Sequence, residues 1–285
     1  MVAPDSDKFE AALMKRFATV VLGVGVLTVC LRCSLSAEAE PSAASRTESA
    51  GFSPPARELF RQGRFVYQKN CLVCHGRFGE GDGELVRDWD VQPRNFTKAR
   101  FKYRSTPYGK LPTDDDLKRT VRHGVAGTAM PIFDQLTEND LRAVVEYIKF
   151  FSTKWREAEN FADPVSIPAE PEWFSDVKKR ANQAAYGRVL FEETCAPCHG
   201  NKGAGDGIAA KGLKDADGKP IQPADLHPPL KCGKTPTDVY RTIMTGITGT
   251  PMMGFEGSIA PDQVWQLVAF VTELKSEDVD PSQGE

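Results

Sequence analysis

The pentapeptide Cys71-Leu72-Val73-Cys74-His75 returns 124 residues later as Cys195-Ala196-Pro197-Cys198-His199. Whatever this segment builds, the chain builds twice. C-x-x-C-H is the attachment signature of a c-type haem. Each thiol of the pair forms a thioether to a haem vinyl group, and the following His lies beneath the iron as its proximal ligand. Cys71, Cys74, Cys195 and Cys198 therefore read as attachment residues of two covalently bound haems, with His75 and His199 as iron ligands. Two C-x-x-C pairs sharing a structural zinc usually lie some 12–20 residues apart, whereas these are a whole domain apart. A thioredoxin-like pair needs a βαβ context that is not visible here. A disulfide between neighbours explains neither His.

At 285 residues the chain has room for two small domains or one large one. A net charge of −3 and a hydrophobic share of 40% are ordinary for a soluble protein, so charge names no nucleic-acid or membrane partner. Residues 14–39 read as a signal peptide, with residues 1–13 upstream of the true start. Lys15 and Arg16 form its basic end, residues 17–31 its apolar stretch, and Ala37-Glu38-Ala39 its cleavage positions. The apolar run has 15 residues, short of the about 20 that span a bilayer. An uncleaved membrane anchor through residues 17–31 is the alternative. Cys30 and Cys33 also make C-x-x-C, but Ser34 follows and supplies no ligand.

Residues 40–53 are rich in Ser, Ala and Glu and read as a flexible lead. An amphipathic pattern over 56–70, with Leu59, Gly63 and Val66 at helical spacing, delivers the chain into Cys71. A glycine-dense loop follows each His (75–83 and 199–207), where positive φ lets backbone pass close to a neighbour. No strand precedes either loop, so a phosphate-binding loop is not supported. Gln92-Pro93 is echoed by Gln222-Pro223.

Lys98, Arg100, Lys102 and Arg104 alternate with Phe101 and Tyr103. This stretch reads as a solvated strand-like edge, as a docking surface for an acidic partner, or as a clamp on haem propionates. Gly124-Val125-Ala126-Gly127-Thr128-Ala129-Met130 matches Gly246-Ile247-Thr248-Gly249-Thr250-Pro251-Met252. A methionine in a Gly/Pro loop is not the usual helix-core Met. Met130 and Met252 fit as distal iron ligands, with His123 the competitor in the first half. Thr137 opens a helix with a capping-box-like start and a buried stripe of Leu141, Val144, Val145 and Ile148. Its counterpart covers 261–274, with Val264, Leu267, Val268 and Val271. Residues 156–177 contain Pro164, Pro168 and Pro171 and carry six acidic residues against one basic, which reads as a linker. The acidic tail covers 276–285.

Each half, 54–155 and 178–275, resembles a class I cytochrome c domain, on C-x-x-C-H, the glycine loop, the Pro turn, the Met loop and the flanking helices. The resemblance implies an all-α fold of two tandem domains, each wrapped around a covalent haem. It implies first and last helices crossing at Gly63 and Gly187, with Tyr67, Phe191, Tyr147 and Phe270 nearby. It also implies that Pro93 and Pro223 place a carbonyl against the proximal His Nδ1–H. The first half is longer between its Pro and its Met, and the second has an extra segment at 215–219; neither departure touches a proposed ligand. The implied function is a periplasmic dihaem cytochrome passing single electrons from a dehydrogenase to an oxidase or reductase. The alternatives are a dihaem redox enzyme of thiosulfate dehydrogenase or peroxidase type, motivated by Cys232, and a membrane-anchored oxidase subunit.

Overall fold

The computed structural model describes residues 57–86, 89, 92–227 and 229–277. The signal peptide at 14–39, the apolar stretch at 17–31, the lead at 40–53 and the tail beyond 277 lie outside the described residues. No helix among the described residues is long and apolar enough to cross a membrane.

The fold is all-α, built twice. In the first half, α1 (Arg57–Asn70) leads into the one-turn α2 (Leu72–His75), followed by α3 (Asp114–His123) and α4 (Glu138–Lys149). The second half repeats this with α5 (Val177–Thr194), α6 (Ala196–His199), α7 (Pro236–Thr245) and α8 (Pro261–Glu277). Among the described residues, β structure is confined to one isolated bridge between Lys214 and Pro220.

The first and last helices of each half cross at glycine. A Cβ on Gly63 would run into the Ala143 carbonyl, and one on Gly187 into the Gln266 carbonyl. Only a hydrogen at these positions lets the two backbones meet. Aromatic rings then close the crossing, Tyr67 on Tyr147 at 5.2 Å and Phe191 on Phe270 at 5.0 Å between centroids. The expected stripes are buried: Leu141, Val144, Val145 and Ile148 on α4, and Val264, Leu267, Val268 and Val271 on α8.

Sequence reading did not identify α3 and α7. Both begin at a Thr-x-x-Asp capping box, Thr113 with Asp116 and Thr235 with Asp238. In the box the Thr hydroxyl accepts the Asp amide, while the Asp carboxylate accepts the Thr amide. Asp116 does more. Only 1% exposed, it accepts from the Ser105 amide and hydroxyl (both 2.8 Å) and the Thr113 amide (3.0 Å), and pairs with Arg119. Burial alone would raise this carboxyl, but the hydrogen bonds outweigh it and hold it below the ordinary range. Asp116→Ala strips a cap and orphans three donors, so about 3 kcal/mol of stability should be lost. The expected readout is a lower midpoint in denaturant. Because the folded carboxyl is depressed, its contribution is complete above about pH 4 and fades as pH falls further. The gap between wild type and variant should therefore narrow in acid.

The acidic linker has ordered contacts along its length. Phe161 packs on the first core, while Val165 and Phe174 are buried in the second. Its backbone ties to the first half through Leu111 N to Asn160 O and Val165 N to Ser105 O, both 2.8 Å.

Candidate functional site

Helix α1 ends at Asn70, and the chain turns at once into α2. Cys71, Cys74 and His75 therefore lie on a single turn beside the helix crossing. In each half the His ring is fixed from behind. The Nδ1–H of His75 donates to the Arg94 carbonyl at 3.1 Å, and that of His199 to the Ala224 carbonyl at 3.0 Å. A carbonyl can only accept, so the proton sits on Nδ1 and the Nε2 lone pair stays available to a metal. Burial pushes both imidazoles down, towards the neutral form that ligation requires, against the raising effect of the carbonyl.

The sequence expectation assigned those carbonyls to the prolines. They belong instead to the next residue, because the Pro93 and Pro223 carbonyls face the glycine loops. A Cβ on Gly81 would lie 2.5 Å from the Pro93 oxygen, and one on Gly205 2.6 Å from that of Pro223. Both glycines have positive φ, 79° and 78°. The glycine loop thus folds over the proline and leaves the following carbonyl for the His. A ring contact distinguishes the first half, where His75 stacks on Phe96 with centroids 4.4 Å apart. The Tyr67 hydroxyl also donates to the Gly76 carbonyl at 2.7 Å, an anchor that Phe191 cannot supply.

None of the four motif cysteines is in a disulfide. Burial, then the neighbouring thiol, pushes Cys71 up to about 12 and Cys195 up to about 11. Raised thiols at Cys71 and Cys195 disfavour thiolate ligation of a metal there.

The two methionine loops share one hydrogen-bond pattern. The Met130 amide donates to Thr128 Oγ1, as Met252 does to Thr250 Oγ1, both at 3.2 Å. Val125 N reaches the Met130 carbonyl at 3.2 Å, and Ile247 N the Met252 carbonyl at 2.9 Å. Met130 and Met252 are half-buried, Met130 against Val121, Phe133 and Leu141. His123, its competitor, is exposed at the end of α3, and Met253 is 56% exposed.

The basic stretch is neither a solvated edge nor a free docking face. Lys98 and Arg100 both pair with Asp217 of the second half, and Arg104 is buried against the Thr245 and Gly246 carbonyls. Lys102 stays half-buried near Arg94 and Lys231. Burial, then these like charges, depresses its ammonium. This excess of positive charge suits the anionic carboxylates of a haem. Cys232 is half-buried on the second core beside Tyr103, whose hydroxyl is pushed up to about 12 by burial and then by that neighbour.

Two neutral imidazoles with available Nε2 atoms, two thiol pairs and two half-buried thioethers form a donor set that fits c-type haem. The sequence matches, over residues 58–148 and again over 182–271, the family described as cytochrome C oxidase, cbb3-type, subunit III. The chain belongs to this family. One curated relative is the cbb3-type cytochrome c oxidase subunit CcoP of an Azospirillum species. It is 27% identical over 165 residues, covering 54% of this chain and 46% of the relative. The CcoP subunit of Azospirillum brasilense is 28% identical over 147 residues, covering 50% and 40%. The chain thus spans less than half the length of these relatives. A solved structure, the Kuenenia stuttgartiensis reducing HAO-like protein complex Kustc0457/Kustc0458, contains a chain 38% identical to this one. The TM-score is 0.66, with 75% of this chain and 95% of that chain covered. As a member of the cbb3 subunit III family, the protein is a cytochrome of two tandem domains with two covalently bound c-type haems.

Proposed function

We propose that this chain is an exported, periplasmic dihaem cytochrome that shuttles single electrons between larger redox proteins. The supporting observation is that each half carries, in the same order, a carbonyl-held His and a Thr-braced Met. In this reading the domains cover 54–155 and 178–275. Cys71 and Cys74 would hold the first haem and Cys195 and Cys198 the second, with His75 and Met130 the ligands of the first iron and His199 and Met252 those of the second. A c-type haem bound in each crevice supplies a one-electron iron couple, and His/Met ligation raises its potential. A His and a Met of this chain committed to each iron would leave little room for substrate there, which favours transfer over catalysis. The near-complete coverage of a chain from a reducing HAO-like complex supports docking on a larger redox protein.

A second reading, a subunit of an oxidase held by residues 17–31, is favoured by the two CcoP relatives. N-terminal sequencing separates the two, since the first requires a mature chain that begins after Ala39.

A pyridine haemochrome assay with intact mass should give about two haems per chain that survive acid extraction. The reduced protein should not bind carbon monoxide rapidly. One haem, or fast carbon monoxide binding by the native protein, would overturn the proposal.

A further inference from the structure

The two halves agree loop for loop except in two places. From Pro93 to Met130 is 37 residues, against 29 from Pro223 to Met252, and the surplus includes the loop carrying Arg104, Tyr108 and Gly109. The second half has its own addition, the turn at 215–219. In sequence neither departure touches a ligand. In three dimensions both close on one target, the loop that presents Met252.

Arg104 is 1% exposed, and its guanidinium donates to the Thr245 carbonyl at 2.8 Å and the Gly246 carbonyl at 3.3 Å. These are the terminal carbonyls of α7, where a helix leaves acceptors unsatisfied and favours a cation. The Tyr108 hydroxyl donates to the Thr250 carbonyl at 2.7 Å, and the Gly109 amide to Thr248 Oγ1 at 3.2 Å. From the other side, the Ala216 amide donates to the Gly249 carbonyl at 3.0 Å, while Asp217 of the same turn holds Lys98 and Arg100. Thr245 and Thr248 are buried beneath this grip.

The first methionine loop is more open, although Lys231 of the second half runs past Gly127, where a Cβ would lie 3.8 Å from its Cε. Gly127, Thr128 and Ala129 are exposed, and Ile132 behind them is 55% exposed. The hydrogen bonds that brace it are its own, from Val125 N to the Met130 carbonyl and from Thr128 Oγ1 to the Val125 carbonyl. Burying a guanidinium is costly unless its donors are satisfied, and this one spends its donors on backbone carbonyls, two of them at the root of the Met252 loop.

We propose that Arg104 is a positioning residue for the second haem, clamping the Met252 loop so that its methionine is harder to displace than Met130. This rests on the assignment of Met252 as a ligand. Arg104 does not meet the iron; it acts through the carbonyls of Thr245 and Gly246, with Tyr108 as a second clasp. The first domain then controls the ligation of the second haem, and the first haem has the more exchangeable methionine.

The test is imidazole titration of the oxidised, full-length dihaem protein. Loss of the far-red methionine band measures displacement at each haem, and Met252→Ala identifies the second haem's share. In wild type the first haem should exchange its methionine at lower imidazole. Arg104→Ala should raise imidazole affinity at the second haem by about tenfold, the effect of one lost buried hydrogen bond, and leave the first unchanged. Tyr108→Phe, which removes only a hydroxyl and should fold normally, should shift the same haem in the same direction. Arg104→Lys keeps the charge without the fork and should recover part of the loss. Equal shifts at both haems, or wild-type titration in both Arg104→Ala and Tyr108→Phe, would overturn the inference. If Met252→Ala leaves the far-red band intact, the ligand assignment itself has failed.

Discussion

Gly187→Ala is expected to cost the second domain more stability than any single surface change, although alanine is the better helix former. Gly187 lies in the interior of α5, where alanine would gain about 1 kcal/mol in helix propensity. The new Cβ, however, would enter the backbone of α8 at the Gln266 carbonyl and lie 2.9 Å from the Leu267 amide nitrogen. A flexible side chain could rotate away from such a clash, but a helical backbone cannot. The crossing would have to open along Phe191, Phe270 and the buried face of Val264, Leu267 and Val268. Overpacking a tight core costs about 1–3 kcal/mol even where side chains can give. Here the upper end or beyond should apply, so the net change is a loss of at least about 2 kcal/mol. The second domain should melt earlier, and haem absorbance should show its crevice loosening first. Gly63→Ala should do the same to the first domain through the Ala143 carbonyl. An unchanged or higher melting temperature would show that the helices do not cross as tightly as described.

Why the crossing was legible and the clasp was not is a matter of range. Gly63 and Gly187 stand one turn before an aromatic and two turns before a Cys motif, a local pattern that repeats. The capping boxes at Thr113 and Thr235 were equally local and could have revealed α3 and α7. The basic stretch was different. Lys98, Arg100 and Arg104 alternate like a solvated edge, and their partners lie more than 100 residues away at Asp217, Thr245 and Gly246. No local pattern encodes such a pairing. Only the mismatch in length between the repeats hinted that something non-repeating is built there. The carbonyls behind His75 and His199 were displaced by one residue for a similar reason. The proline marks the turn, but the close pass of Gly81 and Gly205 decides which oxygen faces the ring.

Met252→Ala should abolish half of the far-red methionine-to-iron absorption of the oxidised protein, and Met253→Ala should leave all of it. The two side chains are adjacent, and in extended backbone neighbours point in different directions, so one loop conformation can present only one of them. The Thr250 brace decides which. Its hydroxyl accepts the Met252 amide at 3.2 Å and donates to the Ile247 carbonyl at 2.8 Å, as the Thr128 hydroxyl does for Met130 and Val125. Residue for residue, Met253 falls opposite Pro131, which cannot ligate iron. Its 56% exposure agrees with an outward side chain, whereas Met252 is half-buried. For Met253 to take over, the Thr250 bonds would have to break. The Gly246 turn would also have to shift, although a Cβ there would already lie 2.5 Å from the Met253 carbonyl carbon. Each broken hydrogen bond costs about 1 kcal/mol, so exchange between the two methionines should be rare while the brace and the Arg104 clamp hold. The reverse outcome, with the band halved in Met253→Ala and intact in Met252→Ala, would mean that the second loop departs from the first at its functional residue.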